Sequence, residues 1–308
     1  PSTGKLESRL VNVDRDLVMI PNLAIHMNRE VNNGYKYNAQ KDMLPLYGMS
    51  TAKDTFMQTI AEAAGVSVDD ILGHDLFLYN RERASIWGAS EEFVSAPQLD
   101  DLQCAFSSMK GFLSSEKNNY LALHCVFDNE EVGSSTKQGA ASTFLRDTLQ
   151  RIHEVLGYDR EDYRIHLANS LMLSADNAHA VHPNHPSKTD VNNCVYINEG
   201  VVVKSHAGQK YTSDAVSIAV FKGLCKNANV PVQFFANRSD VVGGSTLGNI
   251  ATAQVSMNGV DIGLPQLAMH SSYETAGIKD TYYMIKVMEE FFNSHIEETT
   301  AHELKVTK

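Results

Sequence analysis

Residues 121–133 read LALHCVFDNEEVG and hold the strongest structural signal in the chain. The first seven residues are mostly apolar and have the length of a buried β-strand. Three acids then follow within four residues, namely Asp128, Glu130 and Glu131. Carboxylates crowded at the end of a buried strand repel one another and resist losing water, which is typical of a cation site or a proton-transfer site. A solvated acidic loop is the alternative interpretation of this segment alone.

The composition limits the classes of partner that the protein can have. The chain has 308 residues, of which 43% are apolar and 20% charged, as in an ordinary globular protein of two domains. Its formal net charge of −11 argues against nucleic acid or an anionic membrane as the main partner, because both require a basic surface. Cations, peptides and small molecules remain open as ligands. Since no apolar run approaches 18 residues, the sequence predicts no membrane span.

The spacing of the cysteines and the polarity of the first residues indicate in which cellular compartment the protein resides. The four cysteines form no C-x-x-C pair, which argues against a thiolate zinc site and against a disulfide framework. The first seven residues are polar and resemble no signal peptide. Together these features predict a reducing, cytoplasmic location.

The pattern of the chain changes near residue 96 and predicts two domains, 1–95 and 96–308. In the first, short extended runs separated by turns predict a strand-rich unit, with strands at 17–20, 23–27 and 75–79 and a helix at 55–64. In the second, strands and helices alternate. The predicted strands are 121–127, 201–203, 230–235 and 260–264; the predicted helices are 139–156, 215–225, one opening at 243–246 and a last one capped by Asp280. This alternation predicts an α/β sheet with helices on both faces and a site at the carboxyl ends of its strands.

Two adjacent aspartates, Asp100 and Asp101, precede a helical pattern. One of them could cap the helix, which is a routine role for aspartate. Capping does not explain the second carboxylate, so a ligand role stays open for this pair.

A second polar segment, residues 174–186, holds Asp176 and the histidines His179, His182 and His185. Imidazole and carboxylate groups are common metal ligands, and this density favours a functional site over a surface loop. The prolines at 183 and 186 indicate that the last two histidines lie on non-helical backbone.

Two further segments are weak signals when taken alone. His270 follows apolar residues, where a lone histidine is more often structural than a ligand. Gly243 and Gly244 lead into a predicted helix and could present backbone N–H groups to an anion, although an ordinary tight turn explains them equally well. The G-x-x-x-x-G-K-[ST] pattern is absent, which excludes a P-loop.

Taken together, carboxylates and a histidine follow several predicted strands, without thiolates. This is the ligand set of a co-catalytic pair of divalent ions about 3.5–4 Å apart, which share a water molecule and polarise a carbonyl. A bridging carboxylate joins such ions, and an adjacent acid that binds neither ion can act as general base. The neighbouring Glu130 and Glu131 could divide these two roles.

Five segments of the chain together resemble those of a known family. The segments that carry the resemblance are 20–29, 99–102, 128–134, 174–184 and 269–271, and they resemble the M18 metallopeptidases, the aspartyl aminopeptidases. The resemblance covers nearly the whole chain. It implies a mixed-sheet α/β/α catalytic domain with an inserted dimerisation or lid domain in residues 1–95. It also implies a dinuclear zinc enzyme that removes N-terminal, typically acidic, residues from peptides and assembles as a homo-oligomer, a dodecamer built from dimers.

The resemblance assigns catalytic roles to five residues of this chain. Asp100 resembles the carboxylate that bridges both metals, and Glu130 resembles the general base. Glu131 and Asp176 resemble ligands to one metal each, and His270 resembles the remaining ligand. His179 and His182 lie in the ligand segment but are not expected as primary ligands.

Other residues resemble the family's substrate contacts. Lys204 resembles the basic residue that meets an acidic substrate side chain, and His26 the histidine that a neighbouring subunit lends to the site. Tyr211 and the backbone at Gly243 and Gly244 are further expected contacts.

The chain departs from the family pattern at one motif. The family's first metal ligand lies in a His-x-Asp motif, which this chain does not contain; His74-Asp75 has the wrong spacing. We therefore expect the first part of the catalytic domain to lie outside this chain. A site with one ligand missing would bind one metal weakly, so we expect little activity from this chain alone.

Two alternatives to an acidic aminopeptidase remain open. A related two-metal amidase or deacylase would not need Lys204 for selectivity. A non-catalytic family member could act as an assembly or cargo protein; the missing His-x-Asp favours it and Glu130 argues against it. Carboxylate-rich sites also accept Mn²⁺ or Co²⁺ in place of Zn²⁺.

Overall fold

The computed structural model describes residues 4–116, 120–300 and 303–307 of the chain. Residues 1–3 of the polar start lie outside this description. The chain divides into two compact units, Pro1–Arg81 and Glu82–Lys308. The predicted domain boundary near residue 95 stays a prediction.

The first unit contains short helices and loops. Its helices are α1 (Ala39–Asp42) and α2 (Phe56–Ala64), with single 3₁₀ turns at Ile25–Met27, Val31–Asn33, Ser50–Ala52 and Val68–Asp70. The helix predicted at 55–64 is confirmed as α2, which ends where Gly65 adopts a left-handed conformation at φ +67°.

The strands predicted at 17–20, 23–27 and 75–79 are wrong. Within residues 4–81 the structure contains one isolated β-bridge, between Met19 and Leu46. A strand needs a hydrogen-bonded partner and a buried face, yet the buried apolar side chains described in this part of the chain are only Ile60 and Ala61. The short apolar runs are therefore mostly exposed, with Leu17 and Val18 half-buried, and the expected strand-rich unit is not observed.

The second unit carries the sheets. Its strands are β1 (Ser85–Trp87), β2 (Phe93–Ala96), β3 (Leu171–Ala175), β4 (Ala178–His179), β5 (Val201–Lys204), β6 (Val232–Phe235), β7 (Asn258–Gly263), β8 (Pro265–Leu267), β9 (Glu274–Gly277), β10 (His295–Thr300) and β11 (Glu303–Thr307). Its helices are α3 (Leu99–Ser114), α4 (Phe144–Val155), α5 (Arg160–Ala168), α6 (Ala215–Asn227), α7 (Leu247–Gln254) and α8 (Ile278–Asn293).

Two mixed sheets organise this unit. One has the order β3-β7-β5-β6, in which β7 and β5 are antiparallel and the outer pairs are parallel. The other has the order β1-β2-β9-β8-β4, in which only the β4–β8 pair is parallel. Strands β10 and β11 form a separate hairpin. The predicted mixed α/β architecture is confirmed.

Side chains on alternate faces of the first sheet pack against different helices. Val260 and Ile262 of β7 lie in the main hydrophobic cluster with residues of α6 and α8. Asp261 between them points to the opposite face, where its carboxylate lies beside the first turn of α7. Helices therefore cover both faces of this sheet, as the alternation predicted.

The predicted strand at 121–127 takes part in no strand ladder among the described residues. Its side chains nevertheless alternate as in a strand. Leu123, Cys125 and Phe127 pack against the cluster that contains Leu145 and Leu149 of α4. His124 points to the other side, where its Nε2 lies 3.0 Å from the Ser108 hydroxyl of α3. The segment is only half-buried, with Leu121 and Val126 exposed, so the buried strand that its apolar run predicted is not observed.

Two helix predictions need correction at their first residues. The helix predicted from residue 139 begins at Phe144. The residues before it form a turn on Ser134 instead: the Ala141 amide donates to the Ser134 carbonyl, and Gly139 lies so close that an added Cβ would be 2.2 Å from that oxygen. Asp280 does not cap the last helix; it lies inside α8 and accepts hydrogen bonds from the amides of Asn198 and Gly200.

No helix in the described part of the chain combines the length and the apolar character that crossing a membrane requires.

Candidate metal centre

The first acidic residue of the centre, Asp100, lies at the start of α3 without capping it. The backbone of Asp100 is non-helical, with φ −83° and ψ 113°, and the helix has no side-chain cap hydrogen bond. Its carboxylate lies 3.1 Å from the His270 Nε2 and is only 5% exposed. The capping interpretation of Asp100 is therefore wrong, and the carboxylate is available to the centre.

The acidic segment after residue 127 forms a tight loop rather than a flat strand end. Asn129 and Gly133 both have positive φ angles, and the Ser134 amide donates to the Asn129 carbonyl. Glu130 and Glu131 open a single 3₁₀ turn between them. Consecutive glutamates on such a turn point in different directions, which allows them separate roles.

The remaining two residues come from the ends of strands. Asp176 follows β3 directly, and its amide donates to the Ile262 carbonyl of β7. His270 lies between β8 and β9 with a left-handed backbone at φ +66°. Its amide donates to Glu274 at the start of β9, and this bond holds the loop in place.

Three side chains meet in a first cluster. The His270 Nε2 lies 3.1 Å from an Asp100 oxygen and 3.3 Å from a Glu131 oxygen. Ligand atoms of all three residues lie within 4.8 Å of one another. The predicted residues Asp100, Glu131 and His270 are thus brought together from three distant parts of the sequence.

Three aspartates form a second cluster beside the first. Oxygens of Asp100, Asp101 and Asp176 also lie within 4.8 Å of one another. Asp100 belongs to both clusters. A single carboxylate with two oxygens therefore stands between two groups of possible metal ligands.

The acids of the centre lie close together with too little positive charge nearby, and their pKa values are raised as a result. Burial, followed by the charges of Asp176 and Glu131, raises the pKa of Asp100 to about 8. Burial and the charges of Asp176 and Asp100 also raise the pKa of Asp101 well above its usual value. The pKa of Glu130 is raised by burial and by the charges of Asp176 and Glu131. A bound cation would relieve this repulsion.

One buried basic side chain, Lys204, contacts the clustered acids. The buried Lys204 Nζ donates to the Asp176 carboxylate at 2.9 Å and lies 5.7 Å from the centre of the Tyr211 ring. Burial alone would lower the pKa of Lys204, but the charge and hydrogen bond of Asp176 outweigh burial and raise it. Lys204 therefore contacts an acid of the second cluster, and Tyr211 lies next to Lys204.

Glu274 is a residue of the centre that the sequence did not single out. It is 2% exposed, and its two oxygens accept the amide hydrogens of Asp100 and His270, at 2.9 and 2.7 Å. One carboxylate thus orients the backbone of two cluster residues that are 170 positions apart. The only sequence signal was a glutamate four residues after His270. Asp101, which was left open between capping and binding, also belongs to the centre.

The other predicted residues lie outside both clusters. Among the described residues, no hydrogen bond joins Gly243 or Gly244 to the clustered acids; Gly243 instead accepts one from Lys210. His179 is not a member of either cluster. His182 and His185 pack against each other on their loop. His26 is exposed on a 3₁₀ turn of the first unit.

Comparison with known proteins identifies the family. The model of the family described as "Aminopeptidase I zinc metalloprotease (M18)" matches residues 1–292. This chain belongs to the M18 aminopeptidase family. It is 47% identical over 291 residues to the "Probable M18 family aminopeptidase 2" of Clostridium novyi, covering 93% of this chain and 67% of that relative.

Solved structures of the family share the fold. The chain in "Cryo-EM structure of the Ape4 and Nbr1 complex" matches with a TM-score of 0.85 and 35% identity, over 92% of this chain and 59% of that one. The chain in "Structure of S. cerevesiae mApe1 dodecamer" matches with a TM-score of 0.74 and 26% identity, over 94% and 65%. The chain thus spans less than two thirds of the length of these solved relatives.

Proposed function

We propose that this chain carries the metal-binding and proton-transfer residues of a dinuclear zinc aminopeptidase that acts on peptides. The observation that carries the proposal is the position of Asp100, whose carboxylate belongs to two clusters of possible ligands at once. A shared carboxylate is what a pair of ions about 3.5–4 Å apart requires. The proposal therefore rests on the arrangement of side chains as well as on family membership.

The donor atoms of the first cluster suit zinc. Ligands of a tetrahedral ion held at about 2.0–2.1 Å lie about 3.3 Å from one another. The His270 nitrogen is 3.1 and 3.3 Å from its two carboxylate neighbours, which matches that spacing. The second cluster, Asp100, Asp101 and Asp176, offers oxygen donors only, which zinc accepts but which also suit Mn²⁺. Asp100, Glu131 and His270 would hold one ion, and Asp100 with Asp176 the other.

Glu130 is the proposed general base. It lies outside both clusters but feels the charges of Asp176 and Glu131, which together with burial raise its pKa. When bound, the ions would polarise the scissile carbonyl and make a water molecule more acidic. Glu130 accepts the proton of that water and returns it to the leaving amine, and the raised pKa suits both transfers. Its neighbour Glu131 is committed to His270, which leaves Glu130 free for this role.

Lys204 supports a preference for acidic N-terminal residues. It is a buried cation within 2.9 Å of Asp176, so it lies where a substrate carboxylate would approach the centre. Tyr211, and the backbone of Gly243 and Gly244, are the further proposed substrate contacts. Replacing Lys204 by Ala should then reduce cleavage of Asp- and Glu-initiated peptides more than that of neutral ones. An equal reduction for both would support a general amidase instead.

We further infer a homo-oligomer in which the first unit contacts another copy and His26 serves the neighbour's site. One structural relative is itself described as a dodecamer. Large apolar side chains are exposed across the first unit, among them Leu10, Met27, Met49 and Phe77. Exposed apolar side chains in such numbers are typical of a protein–protein interface.

The experiment compares the wild type with Glu130→Gln, in the complete protein that the gene encodes. Zinc is measured by elemental analysis and hydrolysis with an aspartyl chromogenic amide. We expect about two zinc ions per chain in both proteins and hydrolysis in the wild type only, since Glu130 is not a ligand. Glu154→Gln, the same change on the exposed side of α4, is the matched control and should behave as wild type. A wild type without zinc and without turnover would favour an assembly or cargo role.

A further inference from the structure

Asp261 is a fully buried carboxylate in the middle of β7 that the proposed reaction does not use. Its neighbours Val260 and Ile262 point into the main hydrophobic cluster, whereas Asp261 points to the other face of the sheet. The charge of Asp261 contributes to the raised pKa of Lys204 on β5, but among the residues that the structure describes Asp261 forms no salt bridge. Burying an unpaired carboxylate is unfavourable unless hydrogen bonds compensate it, so its contacts define what it does.

The contacts of Asp261 come from two separate loops. The Thr212 amide donates to one carboxylate oxygen at 2.5 Å, and the Thr246 hydroxyl donates to the other at 2.6 Å. The Asp261 amide in turn donates to the Ser213 hydroxyl at 2.9 Å. Thr246 is the N-cap residue of α7, yet its hydroxyl does not cap that helix. Asp261 therefore joins the loop before α6 to the loop before α7.

The close approach of α7 depends on a glycine. A Cβ at Gly248 would lie 2.6 and 2.8 Å from the two oxygens of Asp261. The same two loops are joined a second time, because the Lys210 Nζ donates to the Gly243 carbonyl at 3.2 Å. The local sequence is thus suited to keep both loops at a constant distance from the sheet.

These two loops are the ones that carry the proposed peptide contacts. Tyr211 immediately precedes Thr212, and its ring centre lies 5.7 Å from the Lys204 Nζ. Gly243 and Gly244 precede Thr246 on the other loop. Lys204 lies on β5, the strand paired with β7, and donates to Asp176 of the metal centre. A continuous set of contacts therefore runs from the metal centre through Lys204 and Tyr211 to Asp261.

We propose that Asp261 is a positioning residue for the peptide: it holds the Tyr211 loop and the Gly243–Gly244 loop in place beside Lys204 before the substrate arrives. This rests on the proposed function. Loops that are ordered in advance do not lose conformational freedom when a peptide binds, so binding is tighter. Released loops would have to be ordered by the peptide itself. The loss would then appear in KM more than in kcat.

The decisive variant is Asp261→Asn. Asparagine keeps the size of the side chain but removes its charge. Its oxygen accepts from the Thr212 amide and its NH2 group donates to the Thr246 hydroxyl, so both bonds to the loops become neutral and weaker. Thr246→Val is a second variant that removes only the bond between the Thr246 hydroxyl and Asp261. Asp280→Asn is the matched control, because Asp280 is also a buried aspartate that accepts two loop amides, those of Asn198 and Gly200. It tests whether any loss of a buried hydrogen bond has the same effect.

Two measurements on the complete protein separate positioning from general stability. Hydrogen exchange without substrate should accelerate about tenfold in residues 205–213 and 240–248 in Asp261→Asn but not in Asp280→Asn, because two bonds to a charged group become neutral and about 1.4 kcal/mol is lost. For an aspartyl peptide amide, KM should rise about tenfold in Asp261→Asn, with kcat within about threefold of wild type. Thr246→Val should change the exchange of 240–248 more than that of 205–213.

The outcomes distinguish this inference from the proposed function. Unchanged exchange in both loops, or an equal KM rise in Asp280→Asn, would overturn the positioning role while leaving the aminopeptidase intact. If the wild type hydrolyses no peptide amide but both loops are released in Asp261→Asn, the aminopeptidase proposal fails and the loop-holding role stands. A fall in kcat with unchanged KM would also overturn the inference.

Discussion

Replacing Glu274 by Gln should weaken zinc binding without removing any ligand of the metal centre. The two oxygens of Glu274 accept the amides of Asp100 and His270 at 2.9 and 2.7 Å, and the side chain is 2% exposed. Glutamine has one oxygen, and its amide nitrogen cannot accept a hydrogen bond. One of the two backbone N–H groups therefore loses its acceptor and faces another donor.

The size of the effect follows from the lost bond. A hydrogen bond to a charged group contributes about 1.5–3 kcal/mol. Changes in groups that orient metal ligands typically weaken binding about 10- to 100-fold, which corresponds to about 1.4–2.7 kcal/mol. The two ranges overlap, so we expect the zinc dissociation constant to rise about 10- to 100-fold.

The dissociation constant is measured by competition with a chromophoric zinc chelator at fixed pH. Glu289→Gln is the matched control, since it makes the same change on α8, where Glu289 pairs with Lys286 at 2.8 Å. That variant should bind zinc as the wild type does. An unchanged dissociation constant in a folded Glu274→Gln protein would refute the role of Glu274 as the residue that orients Asp100 and His270.

Three further predictions concern pH, backbone conformation and assembly. The Asp100 pKa of about 8 in the folded chain, against 3.8 as its ordinary value, means that the folded state holds this proton to higher pH. The associated stability is present below about pH 4 and is lost as pH rises through about 8, so urea unfolding in EDTA should give a lower free energy of unfolding at pH 8.5 than at pH 5. Zinc should reverse this loss, and equal stability in Asp100→Asn and wild type at both pH values would contradict it. Gly200→Ala should destabilise the chain by at least about 2 kcal/mol, because Gly200 has φ +112° and a Cβ would lie 2.2 Å from the Pro231 carbonyl oxygen. Gly223→Ala in α6, where the space is open, should be neutral or stabilising, and urea unfolding measures both glycine variants. If His26 serves a neighbouring subunit, mixing inactive His26→Ala and Glu130→Gln chains should restore part of the hydrolysis; no recovery in mixed oligomers would contradict that role.

Much of the second unit was predictable because its signals are local. The β-branched run at Val201–Val203 and the apolar spacing of α4, α6 and α8 identified these elements from short-range periodicity. Element starts were less predictable, since Gly139 is held outside α4 by a contact with Ser134. The predicted strands of the first unit were wrong, because strand formation depends on a partner that the local sequence does not specify.

The candidate centre was predictable as a set of residue types but not as an arrangement. The resemblance assigned the acids at 100, 131 and 176 and the histidine at 270, and the structure places Asp100 in one cluster with Glu131 and His270 and in a second with Asp176. Glu274 and Asp261 were missed. Both accept hydrogen bonds from backbone amides of distant residues. Because every residue except proline has a backbone N–H, the residue type of the donor does not reveal such a bond.

By itself, the sequence determined the class of the protein: an α/β chain of the M18 pattern, rich in acids after its predicted strands. Residue type and local periodicity suffice for that, because they specify which faces are buried and which ligands are available. Only the tertiary structure decided which acids share a site, since apart from its neighbour Asp101 the residues clustered with Asp100 lie 31 to 170 positions away. It also decided which groups the buried carboxylates of Glu274 and Asp261 contact, because both accept hydrogen bonds from backbone amides elsewhere in the chain. Distances of this kind arise from strand order and loop closure, which no local stretch of the chain contains.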